Sequence, residues 1–337
     1  MQRKRIYVAY TGGTIGMQQS TRGFIPVPGF LTDTVKRMPE FYRPEMPTFD
    51  IHEYHPVIDS SDMTPGHWLG IAKDIQANYA NYDGFVVLHG TDTMAYTASA
   101  LSFMLENLEK PVIITGSQIP LAQLRSDGQV NLLNALYLAA NYPIAEVSLF
   151  FNNQLFRGNR ATKADADGFN AFASPNLPPL LEAGIHINLN SGKLHQSTQP
   201  LPLIVAEITP QPISVVTLYP GITTDVISNM LADPVRALII KSFGVGNAPQ
   251  RPELLSVLQA ASARGQIVVN CTQCFKGKVN MEGYATGNAL RASGVISGYD
   301  MTLEATLTKL HYLLSQPLNA EQIRQQMQQD LRGELTR

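Results

Sequence analysis

Short apolar runs alternate with helix-like stretches along the first half of the chain. The runs at 6–10, 85–88, 112–115 and 147–151 are nearly continuous, as strands buried on both faces of a parallel sheet tend to be, and 51–58 is a further strand candidate. The intervening segments 68–80, 94–105 and 131–140 fit helices. Such alternation predicts βαβ units, so residues 1–190 read as a large N-terminal α/β domain, a doubly wound sheet with flanking helices. Between 191 and 212 the chain turns polar and carries Pro200, Pro202, Pro210 and Pro212, the composition of a linker. A second series follows, with strands at 214–218, 237–240 and 267–269 and helices at 224–231 and 252–263. Further helices fit within 301–315 and 320–330. Residues 213–337 therefore read as a smaller C-terminal parallel α/β domain. No internal repeat or low-complexity tract is evident.

Composition narrows the function classes. The chain has 337 residues, 44% hydrophobic and 15% charged, with a net charge of −2. That is enough apolar material for two cores, and the charge gives no basic footprint for nucleic acid or an anionic membrane. No apolar run approaches the roughly 20 residues that span a bilayer. The start, Met1-Gln2-Arg3-Lys4-Arg5, leads into only five apolar residues, short for a signal peptide. The chain is read as cytoplasmic. Cys271 and Cys274 form a C-x-x-C pair, open to a redox role, half a zinc site or an ordinary reduced pair. No second pair of ligands stands out to close a tetrahedral zinc site. His52 and His55 lack the helical spacing of a zinc protease.

Two strand-end segments carry the chemistry: Thr11-Gly12-Gly13-Thr14-Ile15-Gly16 and His89-Gly90-Thr91-Asp92-Thr93. In open α/β sheets, ligands bind at the carboxyl ends of the strands. The glycines of the first segment do not spell G-x-G-x-x-G, and no phosphate-cradling G-x-x-x-x-G-K-[ST] occurs. A plain tight turn remains open for it. In the second, Thr91 and Asp92 offer a hydroxyl and an acid side by side, and capping of the helix that begins at 94 is the competing explanation. Asp59-Ser60-Ser61-Asp62 is a third polar tip, and together they suggest one small zwitterionic ligand. A hydroxyl nucleophile needs a proton acceptor. No G-x-S-x-G elbow or matched histidine is present. Lys163, in Asn159-Arg160-Ala161-Thr162-Lys163-Ala164-Asp165, is a candidate if burial favours its neutral form, although a loop lysine is ordinarily just solvated.

The two glycine–threonine segments, in this order and about this far apart, resemble the bacterial-type L-asparaginase family. The similarity runs along essentially the whole chain, including Asp59-Ser60, Gly116-Ser117 and Lys163. Segments such as Ala248-Pro249-Gln250 and Met301-Thr302 resemble the cytoplasmic, type I branch. The resemblance implies hydrolysis of L-asparagine to L-aspartate and ammonia through an acyl-threonine intermediate, with no metal or organic cofactor. It implies Thr14 as nucleophile and Thr91, Asp92 and Lys163 as a second catalytic group. It implies Asp59, Ser60, Ser61, Thr91, Asp92, Ser117 and Asn247 as substrate contacts. It also implies a homotetramer built from intimate dimers. A regulatory asparagine site is implied in turn, drawing on Thr162, Lys241, Asn247, Thr272 and Cys274.

One position departs from the family. A tyrosine usually follows the first motif and bonds the nucleophile, whereas Phe24 stands at the matching place. The position of Lys241 carries arginine in some relatives, and lysine loses the bidentate fork. Two rivals stay open: the amidase component of a tRNA-dependent amidotransferase, and a non-catalytic amino-acid sensor using the same crevice.

Overall fold

A computed structural model describes residues 3–21, 23–142, 144–190, 201–282 and 285–337. Residues 191–200 of the expected linker lie outside the described residues. The chain divides into two compact units, Met1–Glu207 and Ile208–Arg337.

The first unit is built on a mixed eight-stranded sheet. Five strands run parallel, in the spatial order Thr48–Glu53, Arg5–Tyr10, Gly84–Leu88, Val112–Thr115, Val147–Phe151. In chain order this is 2-1-3-4-5, a doubly wound arrangement whose switch point lies beside the first strand. Alternation along that strand sends Ile6, Val8 and Tyr10 into one core. There they join Leu132, Ala135, Leu136 and Ala139 of the helix Gly128–Asn141.

The sheet goes on beyond the expected strands. Gln154–Arg157, Leu181–Ala183 and Ile187–Leu189 extend it antiparallel. Each is only three or four residues long, too short for a periodicity signal. The first returns through Asn152 and Asn153, both at positive φ (46° and 64°), the conformation a two-residue hairpin requires. The strand expected at 51–58 instead ends at Glu53. Pro56 has no N–H to continue a ladder. The helix expected at 68–80 runs from Pro65 to Asn78, because Thr64 and His67 form a capping box and Pro65 fills the first turn.

The second unit holds four parallel strands in chain order: Ile213–Thr217, Ala237–Ser242, Ile267–Thr272 and Ile296–Ser297. Leu238, Ile240 and Val268 pack with Leu254, Leu258 and Ala261 of the helix Pro252–Ala263. Their neighbours Ile239, Val269 and Cys271 face Ala305, Leu310 and Leu313 of Leu303–Leu314, and Ile323 and Met327 of Ala320–Met327.

Candidate active site

Four loops leave the carboxyl ends of the first four parallel strands and touch one another through bare backbone. The Thr11 N–H and hydroxyl both donate to the Leu88 carbonyl, at 3.0 and 2.9 Å, tying the first loop to the third strand. Gly12 and Gly13 follow at φ +144° and +95°. A Cβ on Gly12 would lie 2.2 Å from the Ile58 carbonyl oxygen, and one on Gly13 2.4 Å from the Gly90 nitrogen. On Gly90 it would meet Ser60 Oγ at 2.4 Å, and on Gly116 the His89 carbonyl at 2.3 Å. The glycines serve contact between loops. A lone tight turn does not account for them.

Thr14 opens the one-turn helix Thr14–Gly16. Its side chain is partly exposed, and among the described residues its hydroxyl has no hydrogen-bond partner. A two-stranded hairpin follows, Met17–Ser20 with Gly23–Pro26, and Phe24 lies in it opposite Gln19 with 48% of its surface exposed. The phenol that does reach the first motif is Tyr10, which donates to the Gly13 carbonyl at 3.3 Å. Burial, then Glu53, raises its pKa, so it stays a neutral donor. Nothing in the sequence marked Tyr10 as more than a strand residue.

Thr91 and Asp92 do not cap the helix Met94–Met104. Its N-cap is Thr93, which makes no capping bond and gives its hydroxyl to the Ser60 carbonyl at 2.7 Å. Thr91 and Asp92 are brought instead to Lys163. Lys163 Nζ donates to Thr91 Oγ1 at 3.0 Å and to Asp92 Oδ1 at 2.7 Å. Lys163 is held there by pairing of Thr162–Lys163 with Phe172–Ala173. A buried hydroxyl, a largely buried lysine and an exposed carboxylate thus share one corner. The set can pass a proton and hold an ammonium group.

Gln118 was missed from sequence. It accepts from Thr91 Oγ1 at 3.1 Å and donates to the carbonyls of Ala166 and Gly168 at 3.3 and 3.1 Å. Asp165 shapes that turn by accepting the N–H groups of Asp167 and Gly168, which hold its carboxyl below the usual range. Asp127 fixes the other side, accepting the N–H groups of Gln118 and Ile119. The available signal was position alone, since Gln118 directly follows Gly116-Ser117 at a strand end.

His89 was quoted with its motif but given no task. It is fully buried between two fixed partners. Nδ1 lies 2.7 Å from the Gly90 carbonyl, Nε2 lies 2.8 Å from Thr97 Oγ1, and the Trp68 indole N–H donates to that same hydroxyl at 3.1 Å. Burial pushes the imidazole pKa down to about 4, so the ring is neutral near pH 7.

Asp59 caps the turn Ser60–Asp62, its carboxylate accepting the Ser61 N–H and hydroxyl, both at 2.9 Å. Ser60 is buried against Gly90. The Ser117 hydroxyl is turned back onto the Ile119 carbonyl at 2.6 Å. In the second unit, Thr272 donates to the Gly244 carbonyl at 2.5 Å and accepts the Cys274 N–H at 3.0 Å. Lys241 ends the neighbouring strand Ala237–Ser242, and Asn247 closes a turn onto Phe243. Both cysteines are free. Cys271 is buried, which pushes its thiol up to about 11, and Cys274 is exposed. Among the described residues no group of three or more His, Cys, Asp or Glu side chains is arranged to hold a metal, and no helix is long and apolar enough to cross a membrane.

Comparison with known proteins finds relatives along the whole chain. Residues 5–195 match the family model "Asparaginase, N-terminal", and residues 212–327 match "Glutaminase/Asparaginase C-terminal domain". The chain is 70% identical to L-asparaginase 1 of Escherichia coli, over 100% of this chain and 99% of that one. It superposes on the crystal structure of L-asparaginase I from Vibrio cholerae with a TM-score of 0.94 at 64% identity, covering 99% of each. It also superposes on the thermostable L-asparaginase of Thermococcus kodakarensis, with a TM-score of 0.88 at 29% identity and 98% and 99% coverage.

Proposed function

This chain belongs to the asparaginase family, and from that premise we propose that it hydrolyses L-asparagine to L-aspartate and ammonia in the crevice beside its first strand. The observation that carries the reading is the corner formed by Thr91, Asp92 and Lys163, on the loop that packs against Gly13, one residue before Thr14. Thr14 Oγ attacks the side-chain amide carbon, and the C–O bond forms as the Thr14 hydroxyl proton passes to Thr91 Oγ1 while the Thr91 proton passes to Lys163 Nζ, which takes it in its amine form. The C–N bond then breaks, and the departing nitrogen takes a proton and leaves as ammonia. Water attacks the resulting ester and frees Thr14.

Asp92, with most of its surface open to solvent, holds the substrate ammonium. Asp59, Ser60 and Ser61 bind the carboxylate end. Charge on the amide oxygen is met by backbone N–H groups at the loop corners. Among the described residues the Thr91 N–H has no partner, which leaves it free for this task. Phe24 has no hydroxyl and supplies no proton.

Thr14→Ala tests the assignment. Ammonia release from asparagine should fall by several orders of magnitude while the unfolding transition stays cooperative, and intact-mass analysis should trap an acyl adduct only in the protein with Thr14. A Thr14→Ala enzyme with wild-type turnover sinks the assignment. The same reading extends to an intimate dimer that pairs into a tetramer, and to a regulatory asparagine held at Lys241, Thr272 and Cys274. Calorimetry that counts one asparagine per subunit, with hyperbolic kinetics, removes the regulatory site.

A further inference from the structure

We propose that His89 is a positioning residue, aiming the Thr91 N–H at the substrate amide oxygen by fixing the peptide plane between Gly90 and Thr91. This rests on the asparaginase reading above. The direction of each hydrogen bond follows from what the groups can do. The Trp68 indole is a donor only, so Thr97 Oγ1 accepts from it. The one hydroxyl proton of Thr97 is then free to point at His89 Nε2. Nε2 is thereby the acceptor nitrogen, the ring proton sits on Nδ1, and Nδ1–H donates to the Gly90 carbonyl. Trp68 and Thr97 come from the helices Pro65–Asn78 and Met94–Met104, so two packed helices dictate the tautomer.

The peptide group is planar and trans, so its C=O and N–H point opposite ways. A Gly90 carbonyl drawn inward to the buried imidazole turns the Thr91 N–H away from it. That N–H has no partner among the described residues, and an unpaired donor on a residue only 9% exposed is costly unless a ligand takes it up. Gly90 has no side chain to hold this plane, and Gly13 lies against its backbone on the other side. The imidazole is what sets the angle.

The test uses steady-state kinetics on asparagine with the full chain, per folded molecule, in five proteins. Wild-type ammonia release checks the asparaginase reading by itself. If it is absent, that reading fails and the role proposed for His89 falls with it. Given wild-type turnover, His89→Gln offers an amide near the Nε2 position only and should lower kcat by about tenfold or more, with KM within about twofold, because one oxyanion donor is typically worth about 10²–10³ in kcat. His89→Asn keeps a donor near the Nδ1 position and should recover most of that loss. Thr97→Val breaks the relay with little change in volume and should behave like His89→Gln, while Thr97→Ser restores turnover. Equal loss in His89→Asn and His89→Gln, or wild-type kcat in a folded Thr97→Val, overturns the proposal. So does a fall in kcat matched by a proportional change in KM. If the His89 variants do not fold, the Thr97 pair decides alone.

Discussion

Acid should destabilise the first unit through His89 by an amount that can be worked out in advance. The imidazole is fully buried, its pKa is held down to about 4 by that burial, and an unfolded histidine titrates near 6.5. A base with a depressed folded pKa is neutral when folded and protonated when unfolded across the window between the two values. The unfolded state then binds more protons, so stability falls as pH falls from about 6.5 to about 4 and is fully present above that window. Each pKa unit is worth about 1.4 kcal/mol. With both states partly titrated at the ends, the loss between pH 7 and pH 4 comes to about 3 kcal/mol. For a unit of about 200 residues this corresponds to about 6–12 °C in Tm. Thermal unfolding of wild type and His89→Asn, followed in half-unit steps from pH 7 to pH 4, isolates the effect, because other titrating groups are common to both. The wild-type curve should fall toward the variant's as pH drops. Curves that stay parallel would refute the reasoning, since a buried neutral imidazole has to contribute a slope.

Other substitutions probe the loops and the second unit. Gly13→Ala should abolish turnover and lower stability by about 2 kcal/mol or more, read by denaturant melts, since its Cβ would sit 2.4 Å from the Gly90 nitrogen at φ +95°. Gly29→Ala, at φ +77° with open space around it, should cost only about 1–2 kcal/mol of backbone strain and spare activity. Lys163→Met should lower kcat by about 10²–10⁴, with a smaller change in KM; turnover with an unaltered pH profile would remove Lys163 from the mechanism. Lys309→Met should destabilise the second unit by about 3–5 kcal/mol. It strands Glu334, which pairs with the Lys309 ammonium at 2.5 Å with both side chains fully buried. Burial alone would raise the Glu334 carboxyl, but Lys309 and the Arg332 and Leu331 N–H groups outweigh it and keep its pKa low. The contribution of that pair is present at neutral pH and lost as acid protonates Glu334.

What the sequence made legible follows from the range of the forces involved. Four of the five parallel strands announce themselves because both faces are buried and the runs are apolar almost throughout, whereas the edge strand Thr48–Glu53 alternates exposed and half-buried positions. The three antiparallel strands at Gln154–Arg157, Leu181–Ala183 and Ile187–Leu189 do not, because their identity is set by neighbours across the sheet. The threonine motifs could be found from local spacing. The meeting of Lys163 with Thr91, 72 residues apart, could not; it depends on pairing Lys163 opposite Phe172, and only the family resemblance anticipated it. Gln118 and Tyr10 stayed hidden for a related reason, since each acts through a bond to a carbonyl or hydroxyl that only the folded loops bring near. Ser117 is implied as a substrate contact by the resemblance alone, and in the folded chain its hydroxyl donates to a carbonyl two residues on.

The bare-backbone contacts at Gly12, Gly13, Gly90 and Gly116 also bear on redesign of substrate range. A pocket walled by side chains can be widened by trimming them, but this wall has little to trim, and an addition collides with main chain at Gly12, Gly13 and Gly116 and with the Ser60 side chain at Gly90. Selection for a longer or bulkier amide must therefore work on the parts around the frame that carry side chains: the hairpin bearing Phe24, the Gln118 amide, and the Asp165–Gly168 turn that Gln118 braces. The corners themselves form a fixed frame, one that accepts new lids more readily than new walls.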